Sequence, residues 1–383
     1  MAVAVRKGGN GATATPSPAA LAPPERIGPV TFDHEQLVVR GGERSGLYTI
    51  VAIHSTALGP ALGGVRMWHY PETVEGARDA LRLAAGMTLK AAAAGLDLGG
   101  GKGVICAPAD GLEADLRRDA LLDFADLVES LGGSYITAED VGISPADLVT
   151  IAQVSEHVTG LPADHGGSGD PSPFTAIGVE AAIRACVRAR FGDDDLRGHS
   201  VCVVGLGHVG ARLAERLAEA GCELIASDVV AAKRELAERL GARWSEPGEA
   251  ILAPCDVLAP CALGGAISAD NVDRLRCEIV CGSANNQLAD ESVADLLHER
   301  GILWAPDYVV GSGGVVNALA VELDGSGPAR AAELVEGIGA TVAALVADAR
   351  RAGITPARAA RDRAEARLRA AAATRETVRS GRG

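Results

Sequence analysis

Two lysines lie in a stretch with almost no other polarity, Gly86-Met87-Thr88-Leu89-Lys90-Ala91-Ala92-Ala93-Ala94-Gly95-Leu96-Asp97-Leu98-Gly99-Gly100-Gly101-Lys102-Gly103. Lysine is rarely buried without a task, because desolvating an ammonium is costly or pulls its pKa down. Two ammonium groups near one another also repel. Repulsion and partial burial together bring a lysine toward neutrality, which a base requires. The glycine run beside Lys102 leaves room for a ligand to approach the backbone. Read alone, the segment is equally compatible with a helix that ends in glycine and carries a surface lysine on each side. A Walker A loop is excluded: it needs a glycine five residues before its Gly-Lys pair and Ser or Thr after it. Those positions hold Leu96 and Gly103.

The elements that must position these lysines follow from periodicity. Val74, Ala77, Leu81 and Ala84 recur at helical spacing and predict a helix over 71–92, with Pro71 in its first turn and Lys90 in its last turns. Lys102 then falls beyond a glycine turn, at the start of a strand over 103–106. Further strands are expected over 47–54 and 135–138, the latter ending in Glu139-Asp140. Together they make a first α/β unit. Residues 164–173 are rich in Gly, Ser and Pro and form a natural hinge. Ser172 is expected to cap a helix with Pro173 at its first position, running to Arg190 and stopped by Gly192.

A second signal lies downstream. An apolar strand over 200–204 runs into Gly205-Leu206-Gly207-His208-Val209-Gly210, then an amphipathic helix over 211–220, then a strand over 222–227 that ends in Asp228. A bare G-x-G-x-x-G is weak; between a strand and a helix, with an acid after the next strand, it marks a dinucleotide site. Gly205 makes the tight turn, Gly207 lets the pyrophosphate reach the helix N-terminus, and Gly210 permits close helix–strand packing. Asp228 can hydrogen-bond the adenosine ribose hydroxyls and would repel a 2′-phosphate, which favours NAD. Short strands over 256–259, 278–281 and 302–305 end in small or polar residues, as strand ends lining a cofactor crevice should.

Composition excludes several classes. The net charge of −14 argues against nucleic acid and acidic lipid as partners, and aromatic residues are too scarce for base stacking. No run of eighteen apolar residues exists, so no membrane span is expected. Residues 1–25 read as a disordered leader without an export signal, which points to the cytoplasm. The eight cysteines include no Cys-x-x-Cys pair and no histidine cluster at zinc spacing, so no metal is expected and the thiols read as free.

Taken together, these residues resemble the glutamate/leucine/phenylalanine/valine dehydrogenases, and among them the leucine and valine enzymes. The resemblance runs from about Phe32 to Leu323. It is carried by Leu58-Gly59-Pro60-Ala61-Leu62-Gly63-Gly64-Val65-Arg66-Met67-Trp68, the two-lysine segment, Tyr135-Ile136-Thr137-Ala138-Glu139-Asp140-Val141-Gly142, Gly169-Asp170-Pro171-Ser172-Pro173, Ala259-Pro260-Cys261-Ala262-Leu263-Gly264 and Gly282-Ser283-Ala284-Asn285-Asn286-Gln287-Leu288. It implies an α/β protein of two domains with a cleft between them. Residues 26–163 would form the substrate-binding and oligomerisation domain, rejoined by helices over 350–383, and residues 164–349 a doubly wound Rossmann domain for NAD.

The resemblance also implies roles. Lys90 matches the residue that pairs with the substrate α-carboxylate, Lys102 the catalytic lysine of lowered pKa, and Asp140 its carboxylate partner. Thr175, Cys261, Ala262, Ala284 and Asn285 match positions about the cofactor, with Leu206, His208 and Val209 of the glycine loop. Leu62, Gly63, Gly64, Met87, Ala138, Asn286, Val315 and Ala318 match positions about the substrate. The implied reaction is reversible oxidative deamination of a branched-chain L-amino acid to its 2-oxo acid and ammonia, by a homo-oligomer, octamer or dimer. Glutamate-specific members carry lysine where Leu62 stands, so glutamate would leave a carboxylate unpaired here. Leucine enzymes have Asn-Ala where this chain has Gly311-Ser312, and valine where it has Ala318, a change that enlarges the expected pocket. An aromatic substrate is the alternative within the family, and a silent nucleotide-binding homologue the alternative outside it.

Overall fold

The computed structural model describes residues 33–380, and the structural statements below refer to these. The expected leader lies outside them. The first sheet is ordered β1-β2-β4-β3-β5. Its strands are β1 (Gln36–Gly41), β2 (Tyr48–Ser55), β3 (Ala61–His69), β4 (Gly99–Ala107) and β5 (Tyr135–Glu139). The pairs β1–β2 and β2–β4 are antiparallel; β4–β3 and β3–β5 are parallel. Side-chain alternation gives the sheet two apolar faces. Ile50, Ala52 and Val104 pack under α1 (Thr73–Ala93), against Ala80 and Ala84. Val51, Ile53, Val65, Met67 and Ile105 pack on the other face against Phe124 and Leu121 of α2 (Ala114–Glu129). A short α3 (Pro145–Ile151), held by a capping box between Ser144 and Asp147, follows β5.

Lys102 does not follow a glycine turn. Gly99, Gly100 and Gly101 belong to β4, and Lys102 stands mid-strand in the middle strand of the sheet. Nor do the glycines make room for a ligand. A Cβ on Gly99 would lie 1.9 Å from Ser55 O, on Gly100 2.1 Å from Thr88 N, on Gly101 2.6 Å from the Tyr135 ring and on Gly103 2.6 Å from the Phe124 ring. The space is filled by the protein itself, so the glycines draw α1, β2 and α2 onto the strand that carries Lys102. Thr88 adds a hydrogen-bond contact with His54 Nδ1 at 2.9 Å, pinning α1 two residues before Lys90.

The second sheet is ordered β11-β10-β9-β6-β7-β8, and all its recorded pairings are parallel. Its strands are β6 (Ser200–Val204), β7 (Glu223–Ser227), β8 (Arg243–Trp244), β9 (Val257–Pro260), β10 (Ile279–Val280) and β11 (Leu303–Trp304). In spatial order the chain runs third, second, first, fourth, fifth, sixth, the doubly wound arrangement with a switch point between β6 and β9. The helices are α4 (Ser172–Phe191), α5 (His208–Glu219), α6 (Arg234–Arg239), α7 (Pro247–Ala250), α8 (Val293–Glu299), α9 (Asp307–Val310) and α10 (Gly313–Ala318). Ser172 is the first residue of α4 rather than its cap; its N–H donates to Asp170 Oδ1 at 2.9 Å. A π-helical turn over Leu319–Leu323 carries Glu322, whose carboxylate accepts from Gly160 N at 2.9 Å and Ser168 N at 2.8 Å in the connection between the sheets.

The chain ends in α11 (Pro328–Ala352), packed on α4, and α12 (Pro356–Ser380), which lies on α1 and α11. Arg367 of α12 donates to Leu96 O at 2.6 Å and pairs with Asp97, just beyond α1. Ala92 and Ala93 of α1 belong to the same apolar core as α4, β6 and α11. Among the described residues no helix is long and apolar enough to cross a membrane.

A Gly100→Ala variant tests the close contact of α1 with β4, because the new methyl would meet backbone atoms that cannot turn aside. It should lose about 1–3 kcal/mol in urea unfolding, the usual cost of overpacking. An unchanged midpoint would show that the contact is not tight.

Candidate active site

Lys102 Nζ lies 2.9 Å from Asp140 Oδ1, and the lysine side chain is 5% exposed. Asp140 follows β5 directly, at the strand end expected from its sequence position. Burial, the largest influence, pulls Lys102 below its ordinary value; the Asp140 charge opposes this and the Arg66 charge adds to it. The neighbouring cation that lowers Lys102 is therefore Arg66, not Lys90. Burial works to raise Asp140, but the Lys102 charge and hydrogen bonds from Lys102 and Arg66 outweigh it and hold the carboxyl below its usual range.

Arg66 is the residue that motif reasoning passed over. Its Nε donates to Asp140 Oδ2 at 2.8 Å and its Nη1 to Asp79 Oδ2 at 2.9 Å. The signal was present: an arginine between Val65 and Met67 in an otherwise apolar strand needs partners.

Lys90 lies in a cavity of about 550 Å³ with Asn286, Asp307 and Tyr308, closed on one side by Thr355, Arg358 and Arg361. Lys102 does not line this cavity, so the two lysines face different surroundings. Asp307 is 6% exposed and accepts from Gln287 N at 2.7 Å. Burial raises its pKa, against that hydrogen bond and the Lys90 charge. Through Gln287 it anchors the turn holding Asn285 and Asn286, both exposed. Asn286 has φ 52°, the only positive φ among the described non-glycine residues. Asparagine tolerates this left-handed backbone better than most side chains.

Two of the positions expected about the substrate, Leu62 and Val315, meet in one apolar cluster from the two halves of the chain. Leu62 packs with Ala91, Leu98 and Ile136, and Val315 and Leu319 close on the same group. Gly63 and Gly64 are backbone necessities: a Cβ would lie 1.8 Å from Gly101 O or 2.4 Å from Glu139 O. Ala138 pairs with Gly64 across β5 and β3. Met87 is half-buried on α1, and Ala318 is buried on α10; neither joins the Leu62 cluster. At the Gly311-Ser312 departure, the Ser312 hydroxyl donates to Val309 O at 2.7 Å across the break between α9 and α10.

At the switch point the three glycines of the motif stand in different surroundings. Gly205 has φ 103°, and a Cβ there would lie 2.7 Å from Ala262 Cβ. Gly207 meets nothing within 4 Å, an open approach to the start of α5; a Cβ on Gly210 would lie 1.9 Å from Gly205 O. The helix starts at His208, inside the motif and before the expected residue 211. His208 is exposed, Val209 packs on the core, and the Leu206 side chain is fully buried, which leaves only its backbone for a ligand. Asp228 already holds the loop, accepting from Leu206 N at 2.7 Å and Val230 N at 2.8 Å. Each oxygen keeps acceptor capacity for a ribose hydroxyl. Ala284 N donates to Pro260 O at 2.9 Å and Cys261 N to Val204 O at 2.8 Å, bringing both strand ends to the crevice. Thr175 Oγ1 donates to Pro171 O at 3.0 Å at the start of α4. The open Gly207, the helix N-terminus and Asp228 fit a dinucleotide.

A doubly wound sheet with this glycine loop, joined to a sheet bearing a buried lysine paired with a carboxylate, defines a dinucleotide-dependent dehydrogenase. Comparison with known proteins makes the class specific. The family model for the Glu/Leu/Phe/Val dehydrogenase dimerisation domain matches residues 30–157, and that for Glutamate/Leucine/Phenylalanine/Valine dehydrogenase matches 228–327. The NAD binding domain of D-isomer specific 2-hydroxyacid dehydrogenases matches 180–263. The chain is 45% identical over 354 residues to a leucine dehydrogenase of Thermoactinomyces intermedius, covering 90% of this chain and 94% of the relative. It is 43% identical over 339 residues to a valine dehydrogenase of Streptomyces virginiae, covering 88% and 94%. The crystal structure of an L-tryptophan dehydrogenase from Nostoc punctiforme superposes with a TM-score of 0.80 at 37% identity, over 88% of this chain and 97% of that one. The chain belongs to the Glu/Leu/Phe/Val dehydrogenase family.

Substituting alanine separates the roles of the second and third glycines of the motif. Gly207→Ala should fold normally and bind dinucleotide at least about tenfold more weakly, since a methyl would stand where the pyrophosphate approaches. Gly210→Ala should lower the melting temperature first. Fluorescence titration with reduced cofactor and thermal melts read both; wild-type affinity in Gly207→Ala would refute the cradle.

Proposed function

We propose that this protein catalyses the reversible, NAD-dependent oxidative deamination of a branched-chain L-amino acid to the 2-oxo acid and ammonia. The observation that carries the chemistry is the contact of buried Lys102 with Asp140 at 2.9 Å, on the sheet whose Leu62 joins Val315 in an apolar cluster. The substrate class is supported by leucine and valine dehydrogenases as relatives and by Leu62, which offers a substrate carboxylate no partner.

In this reading the Lys90 ammonium holds the α-carboxylate. NAD, when bound, supplies the hydride acceptor at Cα. Neutral Lys102 Nζ takes a proton from the α-ammonium and releases it to solvent; it then takes a second from the water that attacks the imine and returns that one to the departing nitrogen, with Asp140 Oδ1 orienting Nζ between those transfers. Asp228 favours NAD by placing a carboxylate where a 2′-phosphate would stand. Asn286 and Val315 bound the substrate, and Thr175, Cys261, Ala262, Ala284 and Asn285 flank the cofactor. We take the two domains to divide near residue 163, with residues 350–383 rejoining the first, a boundary supported by Arg367 reaching Leu96. A homo-oligomer is supported by the dimerisation-domain match, and a reducing cytoplasm by eight free cysteines. Aromatic amino acids are the second reading, favoured by the small Ala318 and by the fold shared with the tryptophan enzyme.

Purified protein with NAD should form NADH with L-valine, L-leucine or L-isoleucine, and not with L-glutamate. Preference for L-phenylalanine or L-tryptophan would replace the aliphatic reading, and no NADH with any substrate would end the enzymatic one. Lys102→Ala should lose turnover and keep cofactor affinity. Because burial lowers the Lys102 pKa, deamination should rise with pH along an ionisation below the ordinary lysine value of 10.5. A limb at or above that value would contradict a buried base.

A further inference from the structure

The Lys102–Asp140 pair is the inner end of a longer chain of alternating charge. Asp140 Oδ1 faces Lys102 and its Oδ2 accepts from Arg66 Nε at 2.8 Å. Arg66 Nη1 donates to Asp79 Oδ2 at 2.9 Å. Asp79 is held in turn by the Tyr70 hydroxyl at 2.8 Å and by Arg82 Nη2 at 2.7 Å. Side-chain exposure is 5% at Lys102, 24% at Asp140, 22% at Arg66, 16% at Asp79 and 70% at Arg82. The outer end opens into a cavity of about 660 Å³ lined by Arg66, Trp68, Tyr70, Asp79 and Arg82. The members come from separate elements: Lys102 from β4, Arg66 from β3, Asp79 and Arg82 from α1, and Asp140 from the end of β5.

We propose that Arg66, anchored by Asp79, is a positioning residue for the reaction: it fixes the Asp140 carboxylate and sets the pH at which Lys102 loses its proton. The inference rests on the reading of Lys102 as the base. A guanidinium never titrates in the working range, and its fork can bond two carboxylates at once. It therefore keeps Asp140 ionised and unable to retain a proton taken from Lys102. It also denies Asp140 rotation, because both carboxylate oxygens are engaged. The charged and titratable groups about this chain are Arg66 of β3, Asp79 and Arg82 of α1 with Tyr70 on Asp79, Glu75 and Arg78 lining the outer cavity, Glu139 beside Asp140, and Tyr135, on which the Asp140 charge acts. Arg66 and Asp79 act on Lys102 in opposite senses, the first lowering its pKa and the second raising it.

The opposition gives a signed test. Arg66→Met keeps an alkyl stem and removes the cation, so the alkaline limb of kcat should move up by about half a pH unit or more, with kcat at pH 8 down about tenfold. Asp79→Asn should move the limb down. Arg66→Lys should restore the limb more fully than kcat, since it returns charge without the fork. KM for cofactor should stay within about threefold in all three. The ionisation of Lys102 can also be followed without turnover. The chain has four lysines, Lys7, Lys90, Lys102 and Lys233, so ¹³Cε-lysine NMR is assignable by single Lys→Arg variants. Opposite shifts of the Lys102 resonance in Arg66→Met and Asp79→Asn support the proposal. Shifts of one sign, or none in folded protein, overturn it. If the resonance moves and the kcat limb does not, the reading of Lys102 as the base fails while the electrostatic role of Arg66 stands. If Arg66→Met does not fold, the Asp79→Asn shift decides.

Discussion

Lys102 stands mid-strand in the middle of a sheet with 4% of its surface exposed, and an ammonium so placed must be compensated by the fold around it. Much of the first half of the molecule answers that requirement. Glycines at 99, 100, 101 and 103 let neighbouring backbone and rings close on the strand, which excludes water. The same closure would strand the charge without Asp140, and Asp140 would be costly without Arg66. Each partly buried charge calls for the next until Arg82 reaches solvent. Such a chain contributes little net stability, because desolvation cancels most of the attraction. What it gives is a lysine whose proton is loosely held and whose Nζ has one partner in one direction.

The second half is built on a different constraint, close backbone approach at a helix N-terminus. Three glycines in one motif serve three separate needs: conformation at Gly205, open space at Gly207 and contact at Gly210. Asp228 supports the arrangement from below by accepting the Leu206 and Val230 amides. The residue expected to read the ribose thus also holds the glycine loop, so loss of its carboxylate would loosen that loop as well.

Much of this was legible in the sequence because it depends on local pattern. Apolar runs and the strand–glycine–helix order locate β2, β5 and most of the Rossmann sheet, and β6 falls on its expected residues; β1, β3 and β8 were not expected. What was misread depends on tertiary packing. A run of Gly99-Gly100-Gly101 reads locally as a turn, yet it is strand, because the neighbours that would occupy its Cβ positions come from residues 55, 88 and 135. The pairing of Lys102 with Asp140 came from family resemblance. Arg66 was hidden because its partners are 13 and 74 residues away. Repulsion between Lys90 and Lys102 looked sufficient to lower a pKa in one dimension; in three, a different cation occupies that role.

The cavity around Lys90 has a wall contributed by Thr355, Arg358 and Arg361, at the start of the last helix of the chain. That helix also clasps the end of α1 through Arg367. During synthesis the lysine-bearing helix leaves the ribosome first, and more than 250 residues follow it before this wall exists. A nascent chain can complete both sheets and still lack the enclosure that a substrate carboxylate would enter. Enclosure of Lys90 therefore depends on residues more than 250 positions further along the chain.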